Sequence, residues 1–299
     1  MTDVVVGMDI GGTKSAIRVE TLSGEFLLDT TVPSEDWDAE PIASGAAWVD
    51  AALRGVLPAE WTIAQLALGA QGLDTEEIAR KFSDRLGALG YRARAVNDAA
   101  LLVPAAGLDR GVGVISGTGA IAVGESDSGA FLAAGGWGWV IGDEGGAAGL
   151  VREAVRDALS AHDDGVADDG LLSTLLRGFD APDAERLARR VNDEPTMDNW
   201  APRAEAVFSA AEAGSALATA RIRAAADHLS HLVTQLVRRG AAGSDIVAAG
   251  GMIVNQPVLW QAFRESCRAA HPGLAVHLLT EPPVVGAVAL ARALTPVGP

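Results

Sequence analysis

The sequence predicts a mixed α/β chain made of two copies of one sheet-centred domain, with a cleft between the copies. Three observations predict it. An apolar run, a glycine turn and an alternating run open the chain as "VVVGMDIGGTKSAIRV". The same layout returns at "GVGVISGTGAIAVGE". After each hairpin, helical and buried-strand patterns alternate, as they do in a mixed sheet. A repeated unit of this size implies duplication, and the crevice between duplicates is the default ligand site.

In chain order, Val4 to Asp9, Ser15 to Thr21 and Glu25 to Val32 form a three-stranded meander, with Gly11 and Gly12 at the first bend and Ser23 and Gly24 at the second. "VPSEDWDAEP" is polar and Pro-bounded, hence a loop. Apolar spacing predicts a helix over 42–57, "IAQLALGAQG" a buried strand, and "TEEIARKFSDRLGALG" a helix with an acidic first turn. "ARAVNDA" is a strand running into a polar end. In the second copy the hairpin from Gly111 leads through "GGWGWVIGDEGG" into a helix, and 161–205 forms a helical excursion of unread role. One long helix follows over 209–240, then the strand "DIVAAGG", the helix "VLWQAFRESCRAAHP", the strand "AVHLLTEPP" and a closing helix. The expected boundaries are 1–108 and 109–299, with the closing helix near 286–296 packing back on the first domain.

The composition excludes several classes. The 299 residues, 49% hydrophobic and 21% charged, suffice for two cores. A net charge of -16 opposes a nucleic-acid partner, which needs a basic face. It does not oppose a nucleotide, since one lysine and a few backbone N–H groups hold a triphosphate locally. Only Lys14 and Lys81 are lysines, so Lys14 on a glycine turn stands out. The single Cys267 leaves no disulfide framework and no cysteine-rich metal site within one chain. Without a basic leader or an apolar stretch of ~20 residues, the expectation is a soluble, unprocessed cytoplasmic protein with no membrane partner.

The glycine turns fit no familiar helix-borne phosphate motif. Thr13 separates Gly12 from Lys14, which spoils the P-loop spacing, and a strand follows instead of a helix. Gly117 and Gly119 lack the third glycine of a dinucleotide fingerprint. Asp9 closes its strand either as a metal-facing carboxylate or as an Asx turn. Asn97 and Asp98 stand before "AALL", where either residue type caps a helix; a cap and a proton acceptor are compatible. In "GGWGWVIGDEGG" a flat ring accompanies carboxylates, which suits a sugar's C–H face and hydroxyls. One of Trp137 and Trp139 is expected in the core, and Glu144 is placed to cap the helix that follows.

"GMDIGGTKSAIRV", "VNDAA", "GVISGTGAIAVGE", "GGWGWVIGDEGGAAGL" and "VAAGGMIVN", in this order from about Val4 to Leu294, resemble the N-acetylglucosamine kinase branch of the sugar-kinase, Hsp70 and actin superfamily, the BadF/BadG/BcrA/BcrD type. Actinobacterial glucosamine kinases are the most similar subgroup. The resemblance implies duplicated actin-like, ribonuclease H-like domains with the active site in the interdomain cleft. It also implies ATP with Mg²⁺, an amino-sugar substrate and a homodimer. Rival branches are disfavoured, because the repressor and kinase group carries a cysteine-rich zinc loop and the dehydratase activators carry paired cluster cysteines. A repressor would also need a basic arm ahead of Val4.

Position by position, the resemblance implies that Gly11, Gly12, Thr13 and Lys14 approach the triphosphate and that Asp9 holds Mg²⁺ through water. Asp98 is implied as the base for the C6 hydroxyl, and Gly117, Thr118 and Gly119 as the second phosphate turn, with Thr118 also near sugar. Gly136, Trp137, Gly138 and Asp143 are implied as the sugar wall. Gly250 and Gly251 are implied to lie against the adenosine, although a strand-end turn explains that glycine pair nearly as well. N-acetylglucosamine members carry asparagine and histidine before the first Trp, where this chain has "SEDW". Glu35 or Asp36 there would favour an ammonium at C2 over an acetamide, pointing to glucosamine; the alternatives are N-acetylglucosamine, a non-catalytic sugar or nucleotide sensor, or, for the loop itself, a solvated acidic segment.

Overall fold

In a computed structural model, residues 2–294 are described. The first half lays down β1 (Thr2–Ile10), β2 (Lys14–Thr21), β3 (Phe26–Pro33), α1 (Ile42–Val56), β4 (Trp61–Ala70), α2 (Glu76–Ala88) and β5 (Ala93–Asn97). A 3-10 turn, Asp98–Leu101, and the short α3 (Leu102–Ala105) then cross to the second half. There β6 (Val112–Ser116), β7 (Ala120–Glu125) and β8 (Phe131–Gly135) precede α4 (Ala147–Asp163), α5 (Leu171–Gly178), α6 (Ala184–Asp193), α7 (Met197–Trp200), α8 (Ala204–Glu212) and α9 (Ala216–Arg238). The chain closes with β9 (Asp245–Ala249), α10 (Gly251–Asn255), α11 (Pro257–Ala270), β10 (Ala275–Leu278) and α12 (Val284–Arg292).

The duplication is visible in the strand order. The first sheet runs β3-β2-β1-β4-β5 and the second, read from its other edge, β8-β7-β6-β9-β10. In each, three strands form an antiparallel meander and two parallel strands extend it, as Met8 opposite Ile17 and Asp9 beside Gly69 illustrate. The mixed pairing follows from connection length, since tight turns join antiparallel neighbours and helices carry the chain between parallel ones. Each sheet has its own core. Val6, Met8 and Leu68 pack with Phe82 of α2 in the first, whereas Val114, Leu150, Leu229 and Phe263 belong to the second. Burying a side chain of that size stabilises by roughly 1.5–3 kcal/mol.

Two features position the site. α12 lies against β1, β4 and α3 of the first half. Close packing makes that possible: a Cβ on Gly286 would stand 2.0 Å from the Leu101 carbonyl, and one on Gly7 2.6 Å from the Val288 nitrogen. The Asp98–Leu101 turn is also wedged between sheets, since a Cβ on Gly69 would meet Leu101 at 2.4 Å and one on Gly113 would meet the Ala99 carbonyl at 2.5 Å. The crossing segment therefore touches both halves. The predicted closing helix extends two positions past the described residues, so 295–296 lie outside them.

The helix predicted over 209–240 is two helices. α8 ends at Glu212 and α9 starts at Ala216, separated by Gly214 at φ 101° and by Ser215, whose hydroxyl accepts the Ala218 N–H at 3.0 Å. Alanine-rich spacing hides such a break, because Gly and Ser interrupt a helix through backbone conformation and capping rather than polarity. Among the described residues no helix is long and apolar enough to cross a membrane.

Candidate functional site

The two glycine turns face each other. Gly11 and Thr13 of the β1–β2 turn and Gly117 and Thr118 of the β6–β7 turn line one recess of about 830 Å³, with Asp9, Lys14 and Gly251. The first turn is held by the Gly11 N–H on the Lys14 carbonyl (3.3 Å) and by the Ser34 N–H on the Thr13 carbonyl (3.1 Å). The second turn is held by α4, whose Ala147 and Ala148 N–H groups donate to the carbonyls of Gly117 (2.9 Å) and Thr118 (3.2 Å). A Cβ on Gly146 would stand 2.5 Å from the Gly119 carbonyl carbon, so α4 reaches the turn only through glycine. Gly250, at φ 107°, caps α10, and its missing Cβ would lie 2.4 Å from the Ser116 carbonyl.

A second recess of about 390 Å³ adjoins the first and shares Gly11, Thr118 and Met197 with it. Asp98 lies on its wall. β5 delivers the chain there, and the 3-10 turn reverses it: the Ala99 N–H donates to the side chains of both Asn97 (3.0 Å) and Asp98 (2.9 Å). Asn97 also donates its amide to Asp74 at 2.9 Å, which ties the loop after β4 to the turn. Asn97 thus supplies the cap and leaves part of the Asp98 carboxylate open to the recess. Burial pushes Asp98 up to about 6, with the Ala99 N–H opposing the shift and the Asp74 charge adding to it. At neutral pH such a group is still mostly ionised and is a stronger base than an ordinary carboxylate.

The opposite wall comes from the loop after β8. Gly136, Gly138, Trp139 and Asp143 line the recess. Asp143 is 6% exposed and sits at φ 60°, and Gly149 is required behind it because a Cβ there would come 2.1 Å from the Asp143 carbonyl. Burial raises its pKa against the pull of the Ala120 and Gly138 N–H groups. Its Oδ1 is buried without a partner, an acceptor available to a ligand hydroxyl or ammonium. Arg152 of α4 braces the loop from behind by donating to the Trp139 and Gly142 carbonyls. Glu144 does not cap α4; it pairs with Arg152 at 3.7 Å and His228 at 3.3 Å.

Asp9 is the most perturbed acid in the cleft. Burial and then the Asp98 charge push it up to about 7, and only Lys14 opposes them. With the pKa of Asp74 raised by burial as well, the cleft floor holds more negative charge than Lys14 balances. That surplus suits a divalent cation. Among the described residues no group of three His, Cys, Asp or Glu side chains forms a protein-only metal site. The arrangement fits Mg²⁺ arriving with a triphosphate, since Mg²⁺ keeps several waters and needs only one or two carboxylates from the protein.

Of the residues singled out from the sequence, the structure gathers Asp9, Gly11, Gly12, Thr13, Lys14, Asp98, Gly117, Thr118, Gly119, Gly136, Gly138, Asp143 and Gly251 on the two recess walls. It leaves Gly250 outside them, turned against the Ser116 carbonyl, and Trp137 also, 76% exposed, and sets Trp139 on the wall instead, against Trp200 at 4.7 Å between ring centroids. Asp36, at φ 63°, is exposed and lines neither recess, although the Trp37 indole N–H holds its loop to the Gln71 carbonyl at 3.3 Å. Gln71, Asp74 and Met197 were not anticipated. Asp74 stands just ahead of the helix that the sequence predicts from Thr75, outside its acidic first turn, and Met197 falls in the unread excursion.

The BadF/BadG/BcrA/BcrD ATPase family profile matches residues 6–291. The chain is 26% identical over 300 residues to the N-acetylmuramic acid/N-acetylglucosamine kinase of Clostridium acetobutylicum, covering 96% of this chain and 98% of that one. It is 25% identical to the N-acetyl-D-glucosamine kinase of Dictyostelium discoideum, covering 97% and 98%. A crystal structure of a putative N-acetylglucosamine kinase from Chromobacterium violaceum superposes with a TM-score of 0.72 at 24% identity, over 96% of this chain and 98% of that one. A glucokinase of the repressor and kinase group from Streptomyces griseus, solved with glucose and AMPPNP, superposes with a TM-score of 0.61 at 18% identity over 97% and 98%. Two duplicated sheets with paired glycine turns, matched over nearly the full length, place the chain in the BadF/BadG/BcrA/BcrD ATPase family.

Proposed function

We propose that the chain is a glucosamine kinase, transferring the terminal phosphoryl group of ATP to the C6 hydroxyl of the sugar. The coarser statement, an ATP-using phosphotransferase with an alcohol acceptor acting on amino sugars, agrees with both curated relatives and with the family. The finer one is carried by a single observation. Asp74, Asp98 and Asp143 line the smaller recess, and no Lys, Arg or His does so among the described residues. Three carboxylates with raised pKa values in one recess favour a cationic ligand, and the ammonium of glucosamine supplies that charge. A neutral acetamide supplies none, and a carboxylate-bearing sugar would add repulsion.

In this reading the larger recess takes the nucleotide. The N–H groups of Gly12, Thr13, Thr118 and Gly119 and the Lys14 ammonium approach the phosphates, while Gly251, on the recess wall, lets the chain lie close to the adenosine. Asp9 would hold Mg²⁺ through water, and the ion would neutralise charge on the phosphate oxygens. Asp98 accepts the C6 hydroxyl proton, Asp143 takes a sugar hydroxyl on its unpartnered Oδ1, and Trp139 gives the ring an apolar face. A proton acceptor held in place is worth about 10²–10⁴ in rate. The deciding experiment is ADP release across glucosamine, N-acetylglucosamine, N-acetylmuramic acid and glucose. Glucosamine is expected to give the highest kcat/KM, and Asp74→Asn to narrow the gap to N-acetylglucosamine. A preference for the acetylated sugar in wild type and variant alike would discard the charge reading, and ligand binding without sugar-dependent ADP release would mark a sensor.

A further inference from the structure

The excursion over 161–205 has a place in this cleft. Its one-turn helix α7 begins at Met197, which is 38% exposed and lines both recesses. The other two shared positions, Gly11 and Thr118, belong to the paired turns, so Met197 is the long apolar side chain at the junction. The perch is rigid. Thr196 caps the turn by accepting the Asn199 N–H at 3.2 Å, and the Asn199 amide donates to the Glu194 carbonyl at 2.9 Å. Trp200, 7% exposed, donates its indole N–H to the Val191 carbonyl at 3.3 Å and stacks edge-on against Trp139 at 4.7 Å. One strut therefore joins the nucleotide side of the cleft to the sugar wall, with an apolar residue at its tip.

We propose that Met197 is a positioning residue that partitions the nucleotide subsite from the sugar subsite and keeps water from the transferring phosphoryl group. The inference rests on the kinase reading above. In the productive step the C6 oxygen bonds to the γ-phosphorus as the bond to the β,γ-bridging oxygen breaks; ADP leaves with that electron pair, and the hydroxyl proton passes to Asp98. Water in the same position reacts with the same balance and yields ADP and inorganic phosphate. The two outcomes differ only in which oxygen reaches the phosphorus, so an apolar partition beside that point decides between them. A flexible thioether side chain fills such an irregular gap and adapts to a bound sugar.

The test compares wild type with Met197→Ala, Met197→Gln and Met197→Leu, measuring ADP release with and without glucosamine, sugar phosphate formed, the KM for sugar and the melting temperature. In Met197→Ala the ratio of ADP released to sugar phosphate formed should rise about tenfold and the sugar KM several-fold, with melting temperature little changed. Met197→Gln, of similar length but polar, should raise the ratio as well, and Met197→Leu should restore it. A ratio equal to wild type in the folded Ala and Gln variants overturns the proposal. So does a parallel fall of both activities with the melting temperature, the signature of a merely structural role. Wild type without any sugar-dependent ADP release would instead overturn the kinase reading itself.

Discussion

Asp9 should make the ligand-free protein less stable at alkaline pH than at acid pH, and Asp9→Asn should remove the share of that difference that Asp9 contributes, leaving those of Asp98, Asp74 and Asp143. The folded carboxyl is pushed up to about 7 from 3.8, so the folded state holds the proton more tightly than the unfolded chain does. Its favourable contribution is complete below pH 3.8 and is lost as pH rises through about 7. One pKa unit is worth about 1.4 kcal/mol, and the difference of about three units corresponds to at most about 4 kcal/mol at pH 8. Asp9 keeps some contact with the cleft solvent, which reduces the figure to roughly 2–3 kcal/mol, and burying an amide without a full set of partners returns about 1 kcal/mol. Asp9→Asn should therefore gain about 1–2 kcal/mol at pH 8. For a chain of this length that is a rise of roughly 2–4 °C in melting temperature, with no gain at pH 4.5. Differential scanning calorimetry of both proteins at the two pH values, without nucleotide, reads it directly. A loss of melting temperature at pH 8 equal to that at pH 4.5 would refute the claim that Asp9 is an uncompensated charge.

Asp98→Asn should lose at least two orders of magnitude in kcat while circular dichroism and melting temperature stay near wild type. With Mg²⁺ and ATP saturating, so that the metal keeps Asp9 ionised, the acid limb of kcat/KM for the sugar should bend near pH 6, where the Asp98 carboxyl titrates, and activity should fall about tenfold per pH unit below it. An acid limb bending near pH 4 instead would mean that a normal carboxylate carries the step. Asp143→Asn should raise the sugar KM more than tenfold with a smaller change in nucleotide KM. Gly286→Ala should lower stability by several kcal/mol, read as early unfolding in urea, because its Cβ would sit 2.0 Å from the Leu101 carbonyl.

Much of the architecture was legible because duplication leaves a long-range signature. The strand, glycine turn and strand of the first hairpin return in the second, and both lead to helix-linked parallel strands. Glycine at a strand end speaks through backbone permissiveness, which survives in sequence. What did not survive is which loop lies over which. Trp137 and Trp139 stand two residues apart in one glycine loop; only packing against Trp200, from a helix far along the chain, sets Trp139 on the wall. Asp36 and Asp74 are both acids near the first sheet. The tie from Asn97 to Asp74 that selects the second is a tertiary hydrogen bond, invisible to periodicity. The excursion was unreadable for the same reason, since Met197 gains its position from the fold that carries α7 to the cleft mouth.

The most direct measurement is a crystal structure with glucosamine and a non-hydrolysable ATP analogue bound together. The account predicts an Asp98 carboxylate oxygen within about 2.6–3.2 Å of the sugar C6 oxygen, which in turn lies in line with the γ-phosphorus. A sugar bound with C6 directed away from the Val96–Ala99 segment, or a nucleotide bound outside the recess between the two glycine turns, would contradict it.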